Sequence, residues 1–443
     1  MKQNTSNKKI IIKIADIAFF AVLLFIFGYF FSRLVYCQSL YAETGNTEGY
    51  YSDILAYMQH IQGPQAEITF EKEVYSTLDT YPLFFLLGKV LYKFMDINHA
   101  IMWAELICNS LAIILSKYFF EKSLSLKDDE NDNVIRHILI SLGVCACFIM
   151  SMWWLPRFGK ITLPFKDQVF YGTYSGNPWH NATYIAVRPF AVSTFFAFVY
   201  LMKKIPLKKG EAAEDLTKIT VIDYILFSVS LLLSVLAKPT FALVFFSASA
   251  IVFLARLIIG KGKTIKNLVF VALAYIPTCA VLLYQFGGVF GNRVETTEEH
   301  GIGLTFFGVW KSANPHVAAA IFYANVFSLA TLVFFFKEIK SDFLYRFGVL
   351  FFATALIEAG FLCEKGFRYS HFNFSWGYMH GIFFFAMVSI AVLLKECFKK
   401  KKRWPAIIVP TICLLSQVIF GILYFKGLYY GLDYNTLLPS HWL

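Results

Sequence analysis

Runs of about 20 nearly uncharged apolar residues, the length an α-helix needs to cross a hydrocarbon core, recur from one end of this chain to the other and leave room for little else. Eleven are expected, at about 14–36, 99–120, 135–155, 189–202, 220–237, 240–258, 267–286, 317–336, 344–362, 377–396 and 404–425. Composition agrees: 58% of the 443 residues are hydrophobic and only 16% are charged, too little charge to cover a water-soluble surface of this size. The expected fold class is an all-α, polytopic integral membrane protein. Residues 1–443 form a single transmembrane domain with no separate soluble domain.

The net charge of +11 would suit a nucleic-acid partner, but its carriers lie in short clusters between apolar runs. That placement is the signature of cytoplasmic loops, so no nucleic acid is expected. Lys203, Lys204, Lys208 and Lys209, then Lys261, Lys263 and Lys266, then Lys399 to Arg403, all fall on one side if the N-terminus is cytoplasmic and the C-terminus extracytoplasmic. The basic-then-apolar start reads as a retained first span rather than a cleaved leader, because no small-residue cleavage site follows it. The expected location is a bacterial plasma membrane. Cys37 and Cys363 fall near outer helix ends and are the one pair among eight cysteines placed to bridge.

The first extracytoplasmic loop, 37–98, is the one long polar excursion near the start. Between Glu43 and Pro82 it carries Glu43, Glu48, Asp53, Glu67, Glu71, Glu73 and Asp79 against one lysine, Lys72. Within it, SDILAYMQHI reads as an amphipathic helix with Ser52 or Asp53 as N-cap and Ile54, Tyr57, Met58 and Ile61 on one face. A second amphipathic segment, 82–95, opens with Pro82 in its first turn and lies along the outer interface. Asp53 has two readings: a helix cap, or a general base that takes a proton from an attacking hydroxyl, with Glu48 as the substitute.

Other outer loops concentrate groups that hold sugars and phosphates. Asn177, Trp179, His180 and Asn181 combine a flat ring with side chains that hydrogen-bond hydroxyls, or form an interfacial belt. Arg157 and Arg188 flank that loop at the mouths of two spans, where a guanidinium either grips a phosphate or snorkels to headgroups. Arg368, His371, Asn373, Trp376 and His380 gather at the junction of the ninth and tenth spans. Glu358 and Glu105 lie inside spans, and Lys238 lies at the end of one. Intramembrane charges of this kind are functional by default, or pair to hold helices, as Glu358 would with Arg368 or Lys238. The polar loop with Arg293, Glu295, Glu298, Glu299 and His300 covers an acceptor or merely connects. No ligand spacing points to a metal; a divalent ion is unsupported.

A first span, an acidic outer loop, the helix start Tyr81-Pro82-Leu83 and a following span together resemble the polytopic GT-C glycosyltransferases. Many of these carry His-Pro-Pro-Leu where this chain has Tyr-Pro-Leu, and an Asp-X-Asp or paired acid that is missing here. The resemblance implies a polyprenyl-phosphate sugar as donor, transfer on the extracytoplasmic face to a cell-envelope glycan or lipid acceptor, and a loop carboxylate, Asp53 or Glu48, as base. The segment STLDTYPLFFLLGKVLYKF is also similar to EpsG-type polymerases, which leaves a Wzy-type polysaccharide polymerase as an alternative. A transporter or flippase is the rival from another class, expected to show charges near the midplane and repeated halves, often with broken helices; neither sign is evident in the sequence.

Overall fold

The computed structural model describes residues 2–44, 49–50, 52–63, 81–124, 133–153, 157–158, 161–162, 175–206, 218–290, 301–313 and 316–432. In chain order the elements are α1 (Lys2–Glu43), α2 (Ile54–Gln62), α3 (Pro82–Tyr92), α4 (Ile97–Ser123), α5 (Val134–Ile149), the hairpin β1 (Arg157–Phe158) and β2 (Ile161–Thr162), α6 (Ala182–Lys204), α7 (Val221–Ala237), α8 (Thr240–Ile259), α9 (Ile265–Leu273) and α10 (Ile276–Phe290). They continue with β3 (Ile302–Leu304), α11 (Gly308–Ala313), α12 (Val317–Ala324), α13 (Val326–Phe334), α14 (Glu338–Ser341), α15 (Phe343–Phe361), β4 (Leu362–Glu364), a 3-10 turn (Gly366–His371), α16 (Ser375–Phe398) and α17 (Trp404–Tyr429).

The chain is an all-α, multi-pass membrane protein, but the span count differs from expectation. Among the described residues seven helices, α1, α4, α6, α8, α15, α16 and α17, are long and apolar enough to cross a bilayer, and the number rises to nine if each of two bent pairs is one span. The other two expected spans are the helices α5 and α7, of 16 and 17 residues. At 1.5 Å per residue they rise only about 24–26 Å, short of a core about 30 Å thick. The first helix errs the other way. It runs 42 residues, so it continues well past the expected end near 36 and takes in the first residues of the expected loop.

The bent pairs have local causes. Between α9 and α10 the axis turns by 48°, where Pro277 in the first turn of α10 has no N–H to continue the ladder. Between α12 and α13 it turns by 69° at Asn325. Backbone groups freed inside a membrane must find partners, and here they do. Gln417 of α17 accepts from Phe327 N at 2.9 Å and donates to Ala324 O at 2.9 Å and Ser151 O at 3.1 Å. Asn325 Nδ2 donates to Ile321 O at 2.9 Å and Tyr378 Oη at 3.1 Å. Gly421 of α17 passes so close to the Ile149 carbonyl that any Cβ there would collide with it.

Helices α6 and α16 form the centre, with 78% and 83% of their apolar windows buried, whereas α1 and α17 are peripheral at 11% and 28%. A stack of phenylalanines, including Phe195, Phe347, Phe351 and Phe384, joins α6, α15 and α16. Ion pairs close one end of the bundle: Lys117 lies 2.6 Å from Asp16 and 2.8 Å from Glu121, Lys204 lies 3.0 Å from Asp223, and Arg403 lies 2.7 Å from Glu338. This is the end expected from the sequence to face the cytoplasm. At the opposite end α2 and α3 pack against each other and against α4. The buried face of α2 is Ile54, Tyr57, Met58 and Ile61, and α3, at 11 residues, is too short to span.

Candidate functional site

The site grows from the start of α6. Asn181 is the N-cap: its Oδ1 accepts from Tyr184 N at 2.8 Å, the bond that satisfies one of the amides left over at a helix start. The same oxygen accepts from Thr183 Oγ1 at 2.9 Å and from Lys238 Nζ at 2.9 Å. Lys238 arrives there because it precedes Pro239, which forces it into an extended conformation and ends α7. It also donates to Thr183 Oγ1 at 3.1 Å, and its remaining side faces the Trp376 ring, 4.0 Å from the centroid.

The other end of the Asn181 amide faces the first loop. Its Nδ2 donates to Asp53 Oδ2 at 2.6 Å and to Tyr57 Oη at 2.8 Å. Asp53 stands at the N-cap of α2 but makes no capping bond with its side chain, so its carboxylate is spent on Asn181. A backbone bond from Asp53 N to His180 O, 3.2 Å, locks the two segments together. Asp53 itself remains partly exposed. One amide thus separates a carboxylate from an amine and keeps them from collapsing into an ion pair.

Burial tunes the groups around this bridge. It pushes the Tyr57 phenol well above its usual value, with the Asp53 charge adding to the effect. It pushes the Lys238 amine down to about 7, Asp53 opposing, and the His180 imidazole down to about 4. An unfolded histidine titrates near 6.5, so between about pH 6.5 and pH 4 the unfolded chain takes up a proton that the folded chain refuses. The contribution of His180 to stability is therefore complete above about pH 6.5 and falls by roughly 3 kcal/mol as the pH drops toward 4. Thermal unfolding of the detergent-solubilised protein at about pH 7 and about pH 4.5 reads this loss; in His180→Gln the dependence flattens by that amount, and an unchanged profile would contradict it.

Around the bridge, His180 and Tyr184 flank Trp376 at 5.7 and 6.0 Å between ring centroids, and His380 stacks on Tyr184 at 4.2 Å. Tyr81, the residue before Pro82, feels the charges of both Asp53 and Arg368 and is raised, mainly by burial. The start of α3 and the turn between α15 and α16 therefore border the same site.

Asp53, His180, Asn181 and Lys238 come together as a site, while other candidates take different roles. Trp179 is fully buried among Phe27, Phe31 and Phe425, at 5.7, 5.6 and 5.5 Å, so it is neither an interfacial anchor nor a sugar platform. Asn177 turns inward and donates to Cys147 O and Met150 O, both at 2.9 Å, closing the end of α5. Arg188 is two turns inside α6, which starts at 182 rather than 189, and is 1% exposed. Its guanidinium donates to Gly176 O at 2.9 Å and Asn177 Oδ1 at 2.8 Å under the rings of Trp179, Tyr184 and Phe383, so it holds the fold instead of a headgroup.

Arg368 pairs with Glu364 at 3.2 Å, and Asn373 donates to the same carboxylate. Glu358 meets Ser247 of α8 rather than Arg368 or Lys238. His371 is exposed on the 3-10 turn. Arg157 lies in β1, and its side chain, like Glu48 and the Arg293 to His300 loop, is outside the described residues. Cys37 and Cys363 are free thiols. Asp16, Glu121 and His137 bring ligand atoms within 4.8 Å of one another, but Lys117 sits between the carboxylates and supplies the charge a metal would.

Tyr57, Thr183 and Tyr184 belong to the site and were not expected in it. The clue for Tyr57 is its spacing, four residues after Asp53, which puts both on one side of α2.

No family model, curated protein or solved structure matches this chain.

Proposed function

We propose that the protein is a membrane glycosyltransferase that uses a polyprenyl-phosphate sugar and works at the end of the bundle opposite the ion-paired one. The observation that carries this reading is the Asp53 carboxylate: it is withheld from capping α2 and held instead by Asn181 and Tyr57, facing a buried amine. In the reaction the acceptor hydroxyl oxygen attacks the anomeric carbon, the bond from that carbon to the phosphate oxygen breaks, and the lipid phosphate leaves with the bonding pair. Asp53 takes the hydroxyl proton. Lys238 and Arg368 are the nearby cations for the charge that grows on the phosphate. The acceptor is a cell-envelope glycan or lipid, and the topology is that of a bacterial plasma-membrane protein with its N-terminus in the cytoplasm.

A second reading has specific support. Two broken helix pairs, and the buried charges Glu105, Arg188 and Lys238, are what a transporter or flippase of a lipid-linked substrate would show. Lipid-linked intermediates in cells lacking the protein separate the possibilities. A transferase leaves lipid-linked glycans short of one sugar. A Wzy-type polymerase leaves single complete repeats on the carrier, and a flippase leaves complete repeats on the cytoplasmic leaflet. Either of the last two outcomes would overturn the proposal.

A further inference from the structure

One buried titratable group takes no part in the site described above. Glu105 of α4 is 1% exposed, and neither of its carboxyl oxygens has a hydrogen-bond partner. Its neighbours on the same face of the helix, Ile101, Cys108 and Ala112, are buried as well. An ionised carboxylate in such a place, inside a membrane span, has neither a donor nor a counter-charge, so the folded chain holds Glu105 as the neutral acid. An apolar side chain would fill that space at lower cost. The carboxyl is accounted for if it meets water in another state of the protein.

Among the described residues no neighbouring element brings a cation to it. Tyr57 of α2 and Cys108 of its own helix feel its charge, and neither is a counter-charge. Arg33 of α1 is exposed, and Lys89 of α3 acts on His60. Arg188 of α6 donates to Gly176 O, Asn177 Oδ1 and, at 3.4 Å, Asn109 Oδ1. Lys238 bonds to Asn181 and Thr183, and His180 feels Asp53 and Lys238. Lys117 lies about three turns further along α4 and is paired with Asp16 and Glu121.

The element packed over this part of α4 at the outer end is α2, nine residues long, which presents Tyr57 to Glu105 and is tied down at its start through Asp53 and Tyr57 to Asn181. A short helix held in this way is the kind of unit that opens locally, at less cost than global unfolding. We propose that Glu105 is a proton-binding site linked to α2: it keeps its proton while α2 is closed on α4 and releases it to solvent when α2 lifts. In that step the carboxyl O–H bond breaks, the proton passes to water and the electron pair stays on the carboxylate. Opening therefore becomes easier as the pH rises above the ordinary glutamate value of about 4.3, by up to about tenfold per pH unit, until the closed form also ionises. By the same linkage, whatever holds α2 closed favours uptake of a proton. This coupling holds whatever chemistry the outer site performs, so its failure leaves the transferase reading untouched.

The test is maleimide labelling of the full chain in detergent, in a background lacking the eight native cysteines, with Met58→Cys on the buried face of α2 and Gln62→Cys at its exposed end. The ratio of the two labelling rates cancels the titration of the thiol itself. From about pH 7 to about pH 8.5, above the titration of a solvated histidine such as His180, the ratio rises at least about tenfold with Glu105 present. It stays flat in Glu105→Gln and in Glu105→Leu, neither of which can titrate. A rise that persists in both variants belongs to another group, Lys238 or Tyr57, and overturns the proposal, as does a flat ratio with Glu105 present. Infrared difference spectra of the wild type against Glu105→Gln near neutral pH give an independent readout. The carbonyl band of a protonated carboxylic acid is present in the wild type; its absence would show Glu105 already ionised in the closed state and overturn the site.

Discussion

Asp53→Asn lowers sugar transfer by about 10²–10⁴-fold, the range a positioned general base contributes, while donor binding persists. The substitution is nearly isosteric. The new amide oxygen still accepts from Asn181 Nδ2 and from Tyr57 Oη, the two bonds that hold Asp53 at 2.6 and 3.5 Å, so the α2 start keeps its place. What is lost is the capacity to take a proton. The measurement is transfer from a polyprenyl-phosphate sugar in vesicles, beside a thermal-unfolding control that should match the wild type closely. Full activity in Asp53→Asn would remove the proposed base.

Asn181→Ala has the largest expected effect on stability. Five bonds converge on that one amide: from Tyr184 N, Thr183 Oγ1 and Lys238 Nζ to its oxygen, and from its nitrogen to Asp53 and Tyr57. Losing an N-cap costs about 1 kcal/mol, and each buried polar group left unmatched costs about 1–3 kcal/mol more. Lys238 is left with Thr183 and Tyr57 with Asp53, each only partly stranded, so the sum is roughly 2–4 kcal/mol. Thermal or denaturant unfolding of the purified protein reads this directly. Lys238→Met paired with Asn181→Ala should recover part of the loss, because it removes the stranded amine; a double variant no more stable than Asn181→Ala would show that Lys238 is not what the amide was holding.

Helix existence was readable from apolar runs, and so was the face of α2, because one turn of helix repeats every 3.6 residues and Ile54, Tyr57, Met58 and Ile61 obey that period. The ends were not. Whether α6 begins at 182 or 189 depends on Asn181 capping it, and the apolar signal starts later than the helix does because the first turns carry Thr183, Tyr184 and Arg188. That shift moved Arg188 from the membrane surface into the core. Breaks were equally hidden: nothing local at Asn325 announces a 69° bend, since the group that makes it tolerable, Gln417, is 92 residues away and reaches it only through packing.

The site was legible in its chemistry but not in its pairings. Asp53, His180, Asn181 and Lys238 each read as polar groups where an apolar chain had no need of them. Which of them touch was not, because Asp53 and Asn181 are 128 positions apart and meet only when the start of α2 bonds to the start of α6. Trp179 and Asn177 looked equivalent to their neighbours, yet α1 and α17 close over Trp179 and the end of α5 claims Asn177.

The account depends on the Asp53 end of the bundle facing away from the cytoplasm, where a lipid-linked donor is presented. The direct measurement uses Gln62→Cys, at the exposed end of α2, and Lys400→Cys, beyond the end of α16, each in a background lacking the eight native cysteines, treated in intact cells with a membrane-impermeant maleimide. The expected result is labelling at position 62 in intact cells and at position 400 only after the membrane is broken. Labelling at 400 but not at 62 in intact cells would place Asp53 in the cytoplasm and contradict the account.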